Sequence, residues 1–153
     1  MAGTVWVFLV AAGFGFLWLV PHVGPPWAKA AAVRAGHLAL LGAGTVGAAG
    51  WLGTWFERLL TTVVQAVGAS SAAVVGTSAV VGVLALGLCV AWVLGILPYR
   101  LIRFDPPDWL AWAGLILPAI AVQIPGPAGD AVASLITWTG ELVVGVGRTA
   151  VGA

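Results

Sequence analysis

The sequence predicts an all-α integral membrane protein that forms a single membrane domain over residues 1–153. Composition is the first observation behind this class: 61% of the residues are hydrophobic and 7% are charged, whereas about 25% are charged in a typical soluble domain. The second observation is a mean hydropathy of +1.10. The third is that uncharged apolar runs long enough to cross a bilayer recur along the chain. We therefore expect lipid, rather than water, to surround the protein.

The first of about four predicted spans covers about 3–20, a run without charge or proline that Pro21 is expected to stop. A signal peptide carries Lys or Arg before a shorter apolar run, so we expect this segment to be an uncleaved first span. Pro25 and Pro26 predict an extended turn after it. The second span is expected at about 35–56.

The uncharged stretch 59–99 is too long for one crossing and divides in two. Apolar residues at helical spacing predict an amphipathic helix at about 56–67 that lies in the membrane interface. The third span then follows at about 72–97. The fourth, at about 109–124, is short and contains Pro118, so we expect it to be kinked.

The C-terminal segment 130–148 predicts a second amphipathic helix, because its polar residues fall on one stripe at helical spacing. If it formed a fifth span, Glu141 would lie inside the membrane, at a cost of about 2.5–3.5 kcal/mol. If it lies flat, the stripe faces the headgroups. We favour the flat helix and keep the stripe as a candidate pore lining or interface. The stripe consists of Asp130, Ser134, Thr137, Glu141 and Arg148.

Small residues recur at close spacing in the second and third predicted spans. In lipid, small side chains allow a second helix backbone to approach closely and gain van der Waals contact. We therefore predict helix-packing faces, and the spacing leaves open whether they act within one subunit or between subunits. The candidate packing residues are Ala43, Gly47, Gly50, Gly87, Ala91 and Gly95.

The positive charges predict the orientation of the chain. Lys29 and Arg34 lie between the first and second spans, and Arg100 and Arg103 lie between the third and fourth. Because cytoplasmic loops carry an excess of Lys and Arg, we expect these four residues to be cytoplasmic anchors and both termini to lie outside. The expected location is a plasma or inner membrane. Tryptophans near span ends are expected at the headgroup level: Trp18, Trp27, Trp51, Trp55, Trp109 and Trp112.

Few residues are suited to chemistry. A net charge of +1 offers no basic surface for nucleic acid, and the single cysteine, Cys89, cannot form an internal disulfide or a Cys-rich metal site. Asp105 and Asp108 flank a Pro-Pro turn, with a paired carboxylate as the alternative interpretation. His22 and His37 are interfacial residues or, alternatively, a pH-sensitive or metal-binding pair. We expect no enzymatic activity, no cofactor and no metal.

These features predict a structural or scaffold subunit of an oligomeric membrane assembly. Its partners would be the lipid bilayer and further copies of itself or other membrane subunits. One alternative is an oligomeric pore lined by the C-terminal polar stripe. In size and span number such a protein resembles the small holins of phages, although it lacks their highly charged C-terminal tail. A second alternative is an accessory subunit of a larger membrane enzyme or secretion complex.

Overall fold

The computed structural model describes residues 2–51, 54–55, 58–59, 62, 71–97, 108–122, 124 and 126–152. In this part of the chain all regular structure is helical, which confirms the all-α prediction for these residues. The helices are α1 (Ala2–Val23, with a π-helical segment at Gly15–Leu19), α2 (Pro26–Ala48), α3 (Ser71–Ile96), α4 (Asp108–Ala113), α5 (Leu117–Ala121) and α6 (Gly126–Ala150).

Helix α1 continues through Pro21 to Val23, so the prediction that this proline stops the first helix is wrong. The preceding π-helical segment explains the difference. In it the Val20 N–H donates to the Gly15 carbonyl, five residues back instead of four. The wider turn relieves the clash between a proline ring and the preceding turn of helix. The link between α1 and α2 is correspondingly shorter than the predicted extended turn.

Helices α1 and α2 form an antiparallel hairpin with very close backbone contact. A Cβ on Gly13 would lie 2.7 Å from the Leu40 side chain, and a Cβ on Gly36 would lie 2.6 Å from the Leu17 side chain. The missing side chains of these glycines therefore allow leucines of the opposite helix to reach the backbone. Because glycine has no side chain, the opposite helix can pack directly on the backbone and gain van der Waals contact there.

Helix α2 begins and ends earlier than the predicted span at 35–56. Pro26 is tolerated at its start because the first N–H groups of a helix have no intrahelical acceptor. The helix ends at Ala48, and the Gly50 N–H then donates to the Gly47 carbonyl at 3.0 Å. Further on, Arg58, Leu59 and Thr62 are helical, and the other residues of the predicted amphipathic helix at 56–67 lie outside the described residues.

The predicted fourth span at 109–124 is divided into α4 and α5 by a turn at 114–116. Pro118 has no N–H to donate to the Gly114 carbonyl, so one helical hydrogen bond is necessarily missing. Gly114 also lies against α2, where a Cβ would be 3.0 Å from the Leu41 amide nitrogen. The expected kink is thus a complete break, and the short helices fill the middle of the bundle.

Two hydrophobic clusters hold the described helices together. The inner cluster joins α2–α6, and the hairpin cluster joins α1, α2 and α6. Helix α6 therefore packs its N-terminal half on the inner cluster and its C-terminal half on the hairpin cluster. The inner cluster includes Leu41, Ala85, Cys89, Trp92, Leu110, Leu117, Ile120 and Ile136, and the hairpin cluster consists of Val5, Leu9, Ala43 and Val144.

Among the described helices, α1 is the one that is long and apolar enough to cross a membrane by itself. A signal sequence or the core helix of a soluble protein has the same length and composition. Only 17% of the most apolar stretch of α1 is buried, however, which argues against a soluble core helix. A shorter apolar stretch covers Gly82–Ile96 of α3. The other spans expected from the sequence stay predictions.

Candidate functional site

Two of the three candidate packing residues of the second predicted span lie in the interior of the described fold. Ala43 and Gly47 are buried, whereas Gly50 is exposed just beyond the helix end. Gly44 makes the closest contact, because a Cβ there would overlap the backbone carbonyl oxygens of Gly114 and Leu115. The small side chains of α2 therefore allow it to occupy the centre of the fold.

The predicted packing residues of α3 have mixed environments. Gly95 is buried and Ala91 is half-buried, but Gly87 is exposed, and a Cβ on it would have no described residue within 4 Å. Large apolar side chains beside this glycine are exposed by 49–69% of their surface. We call this surface the α3 outer face, and it consists of Val83, Leu84, Gly87 and Val90.

The opposite side of α3 faces the inner cluster. Trp92 is only 2% exposed, and its indole Nε1 has no hydrogen-bond acceptor among the described residues. Its ring lies 6.1 Å from that of His37, centroid to centroid. His37 is 1% exposed, and its Nδ1 donates to the Val33 carbonyl at 2.7 Å. This buried aromatic pair is a direct contact between α3 and α2.

The two histidines have separate environments, which does not support the alternative of a metal or pH-sensing pair. His22 is exposed, its Nδ1 donates to the Trp18 carbonyl at 2.5 Å, and its ring lies 5.4 Å from that of Trp18. His37 instead contacts Trp92. In the part of the chain that the structure describes, no three His, Cys, Asp or Glu side chains come together as metal ligands would.

Helix α6 presents three distinct faces. The buried face contains several glycines and packs on both hydrophobic clusters. The predicted polar stripe points outward: Asp130, Ser134, Glu141 and Arg148 are exposed and Thr137 is half-buried. The third face is apolar and exposed, and it consists of Leu135, Trp138, Leu142 and Val146.

A groove of about 460 Å³ opens between the start of α1, the end of α2 and the C-terminal half of α6. Glu141 and Arg148 supply its charges, and neither forms an ion pair with any residue that the structure describes. Small and apolar residues form the rest of its wall. We call it the α6 groove, and its lining is Ala2, Thr45, Val46, Ala49, Gly50, Glu141, Val144, Gly145 and Arg148.

The predicted cytoplasmic anchors are described in part. Lys29 is exposed and Arg34 is half-buried, both in the first turns of α2 beside the link to α1. Arg100 and Arg103 lie outside the described residues, as does Asp105. Asp108 is the first residue of α4.

The tryptophans that the sequence places near span ends are all exposed, by between 40% and 81% of their surface. A soluble fold normally buries most of an indole ring, whereas a membrane protein positions it at the headgroup level. The residues are Trp18, Trp27, Trp51, Trp55, Trp109 and Trp112.

Comparison of the sequence with protein-family models found no match, and neither the curated proteins nor the solved structures gave a matching chain.

Sequence reasoning identified the polar stripe but missed the groove. The groove joins Ala2, Thr45 and Glu141, which are far apart in the chain. The available signal was Gly145 next to the stripe, since a glycine beside two charged residues leaves open space near them. The sequence pattern does not show which other helices enclose that space, because this depends on contacts between residues far apart in the chain.

Proposed function

We propose that this chain is a multi-pass membrane protein that acts as a non-enzymatic structural subunit in an assembly of several copies. The apolar outside of the bundle supports the membrane part of this proposal. Val7 of α1 and Leu84 of α3 are 60% and 68% exposed, and Val146 of α6 is 71% exposed. Soluble monomers rarely expose contiguous apolar surface of this kind, whereas lipid tails solvate it without cost.

The arrangement that we propose has α1 and α2 crossing the membrane in opposite directions. Their link, with Lys29 beside it, would lie on the cytoplasmic side, in line with the excess of positive charge there. Helix α3 and the α4–α5 pair would complete the four-span bundle. Helix α6 would lie with its polar stripe toward the headgroups, which avoids placing Glu141 in the hydrocarbon.

The observation that carries the assembly part is the open α3 outer face. A glycine inside a helix costs about 0.5–1 kcal/mol relative to alanine. Gly44 offsets this cost by close packing within the chain, but Gly87 has no such neighbour among the residues that the structure describes. A second helix that approached Gly87 would gain the van der Waals contact that drives helix association in lipid. We therefore place the contact between copies at this face.

The test is the mass of the complex released from lipid nanodiscs, measured by native mass spectrometry. We expect wild type to contain a defined number of copies and Gly87→Leu to release single, folded copies. Gly3→Leu is the matched control, because Gly3 is also exposed and no residue that the structure describes lies within 4 Å of a Cβ there. Wild-type protein that is always a lone monomer would contradict the proposal, and so would Gly87→Leu complexes of unchanged mass.

A pore is the second candidate, and the outward direction of the polar stripe favours it. Several copies could enclose water between stripes that contain Glu141 and Arg148, and charged rings of this kind select ions. Recordings across a planar bilayer separate the two functions. A pore should conduct and should change its ion preference in Glu141→Lys, whereas a scaffold should not conduct in either form.

A further inference from the structure

We infer that the α6 groove binds the headgroup of a zwitterionic phospholipid with a primary ammonium, of the phosphatidylethanolamine type. Arg148 would hold the phosphate and Glu141 the ammonium. The inference rests on the membrane location in the proposed function, but it does not depend on the assembly of copies.

The size of the groove fits a small ligand. Its volume of about 460 Å³ lies within the range of about 300–1,000 Å³ that is usual for ligand pockets. Gly145 lines it, and a Cβ on this residue would have no neighbour within 4 Å among the described ranges of the chain. The absence of a side chain therefore keeps this part of the groove open.

The charges of the groove match both ends of such a headgroup. Glu141 and Arg148 lie seven residues apart on one face of α6, which places their backbones about 10 Å apart along the helix. Both side chains are long enough to converge on a ligand between them. Neither has an ion-pair partner within the described part of the chain, so neither charge is neutralised by the protein there.

The chemistry of each charged side chain determines which end of the headgroup it would bind. The guanidinium of Arg148 presents a planar fork of N–H donors that fits phosphate oxygens. The carboxylate of Glu141 only accepts hydrogen bonds. A primary ammonium has three N–H donors to offer it, whereas the quaternary ammonium of choline has none. The groove should therefore prefer ethanolamine over choline headgroups.

The position of the groove favours a lipid over a soluble phosphate compound. Val46 and Val144 form apolar walls against which the glycerol and the first acyl carbons can pack. At the same end of the hairpin, Trp6 and Trp51 pack edge to face at 6.3 Å between ring centroids. Indole rings prefer the headgroup level of a bilayer, so the groove would lie at the same depth as the lipid headgroups.

The experiment uses the full chain in nanodiscs of equal parts phosphatidylethanolamine, phosphatidylcholine and phosphatidylglycerol, with the retained lipids identified by native mass spectrometry. Wild type should retain phosphatidylethanolamine selectively. Loss of one charge-assisted contact should weaken binding by about tenfold. Glu141→Gln should therefore remove the preference for phosphatidylethanolamine over phosphatidylcholine, and Arg148→Gln should lower the amount of lipid retained, because the phosphate is common to these lipids. Gly145→Leu should remove the adduct by filling the groove. Asp130→Asn is the control, because Asp130 belongs to the polar stripe but does not line the groove.

Several outcomes would overturn the inference. Lipid adducts in proportion to the bilayer composition would show no site, and retention of phosphatidylglycerol alone would show a site for anions instead. Unchanged adducts in both charge variants would place the lipid elsewhere. Soluble phosphoethanolamine lacks acyl chains and should compete poorly; efficient competition would contradict a lipid as the ligand.

The same spectra count the copies of the protein, which keeps the two proposals separable. Single copies that retain phosphatidylethanolamine would support this inference and contradict the proposed assembly. Assembled copies without lipid preference would support the assembly and overturn this inference. A chain that remains in the aqueous phase without lipid would contradict both.

Discussion

Gly44 of α2 and Gly87 of α3 belong to similar small-residue patterns in the sequence but lie in opposite environments. In α2, Gly44 has the backbone of Gly114 and Leu115 so close that no Cβ fits. In α3, a Cβ on Gly87 would meet nothing within 4 Å in the described part of the chain. The difference teaches that a small-residue pattern predicts close helix approach without identifying the partner. Gly44 lies in the interior of the chain, whereas Gly87 lies on an exposed helix surface.

The largest expected effect comes from filling the interior pattern. Gly44→Leu should prevent folding, because backbone atoms on the opposite side cannot move away as a flexible side chain would. Gly87→Leu should fold normally. Far-ultraviolet circular dichroism and size-exclusion profiles in mild detergent measure both variants. A folded Gly44→Leu protein would show that the two helices do not differ as described.

Two tryptophans allow the same comparison between a buried and an exposed residue. Trp92 is 2% exposed and Trp138 is 61% exposed. Trp92→Ala should lower the free energy of unfolding by about 3–5 kcal/mol by leaving a cavity, whereas Trp138→Ala should change it by less than about 0.5 kcal/mol. Reversible unfolding in mixed micelles measures both changes.

Trp92→Phe sharpens this prediction. The indole N–H has no acceptor among the described residues, so its removal costs no hydrogen bond there. We expect a smaller loss than in Trp92→Ala. Equal losses in the two variants would mean that the ring volume is not what stabilises the inner cluster.

The contact between α6 and α2 should give an intermediate effect. A Cβ on Gly140 would overlap the side chain of Thr45, whereas a Cβ on Gly145 has open space. Gly140→Ala should therefore cost about 1–3 kcal/mol, and Gly145→Ala should be neutral or slightly stabilising.

Because the obstacle at Gly140 is a side chain, Thr45→Ala should partly restore the stability of Gly140→Ala. The double-mutant cycle should give a coupling energy of at least about 0.5 kcal/mol. Additive losses would show that the two residues do not touch.

The smallest perturbation tests which side of α1 faces lipid. Phe16 is 39% exposed and Leu9 is 3% exposed. In a Cys89→Ala background, a spin label at Phe16→Cys should collide with oxygen dissolved in the bilayer, while one at Leu9→Cys should be protected. Equal collision rates would contradict the described packing of α1 on the hairpin cluster.

The sequence predicts the helical class well because composition and charge-free runs do not depend on distant contacts. Helices α3 and α6 lie where the hydropathy pattern places helical segments. Pro21 does not end α1, because the π-helical segment before it accommodates the proline ring, and residue type carries no signal for that segment. The break at 114–116 reflects Pro118 together with contact to α2, and only the proline was visible in the sequence.

Only part of each candidate site could be predicted from the sequence. The polar stripe of α6 follows from helical spacing, and its outward direction agrees with an amphipathic helix. The groove beside it needs α1 and α2, whose position depends on close contacts such as Gly13 with Leu40. In the same way, spacing alone could not distinguish the buried Ala43 from the exposed Gly87.

The most direct test of the central claim is disulfide cross-linking between copies in the native membrane. Symmetric dimers usually place the same patch of both subunits together, and a disulfide requires Cα atoms about 4.4–6.8 Å apart. In a Cys89→Ala background, we predict that Gly87→Cys forms an oxidised dimer and that Gly3→Cys, on the exposed surface of α1, does not. No dimer from Gly87→Cys, or an equal yield from Gly3→Cys, would contradict assembly through the α3 outer face.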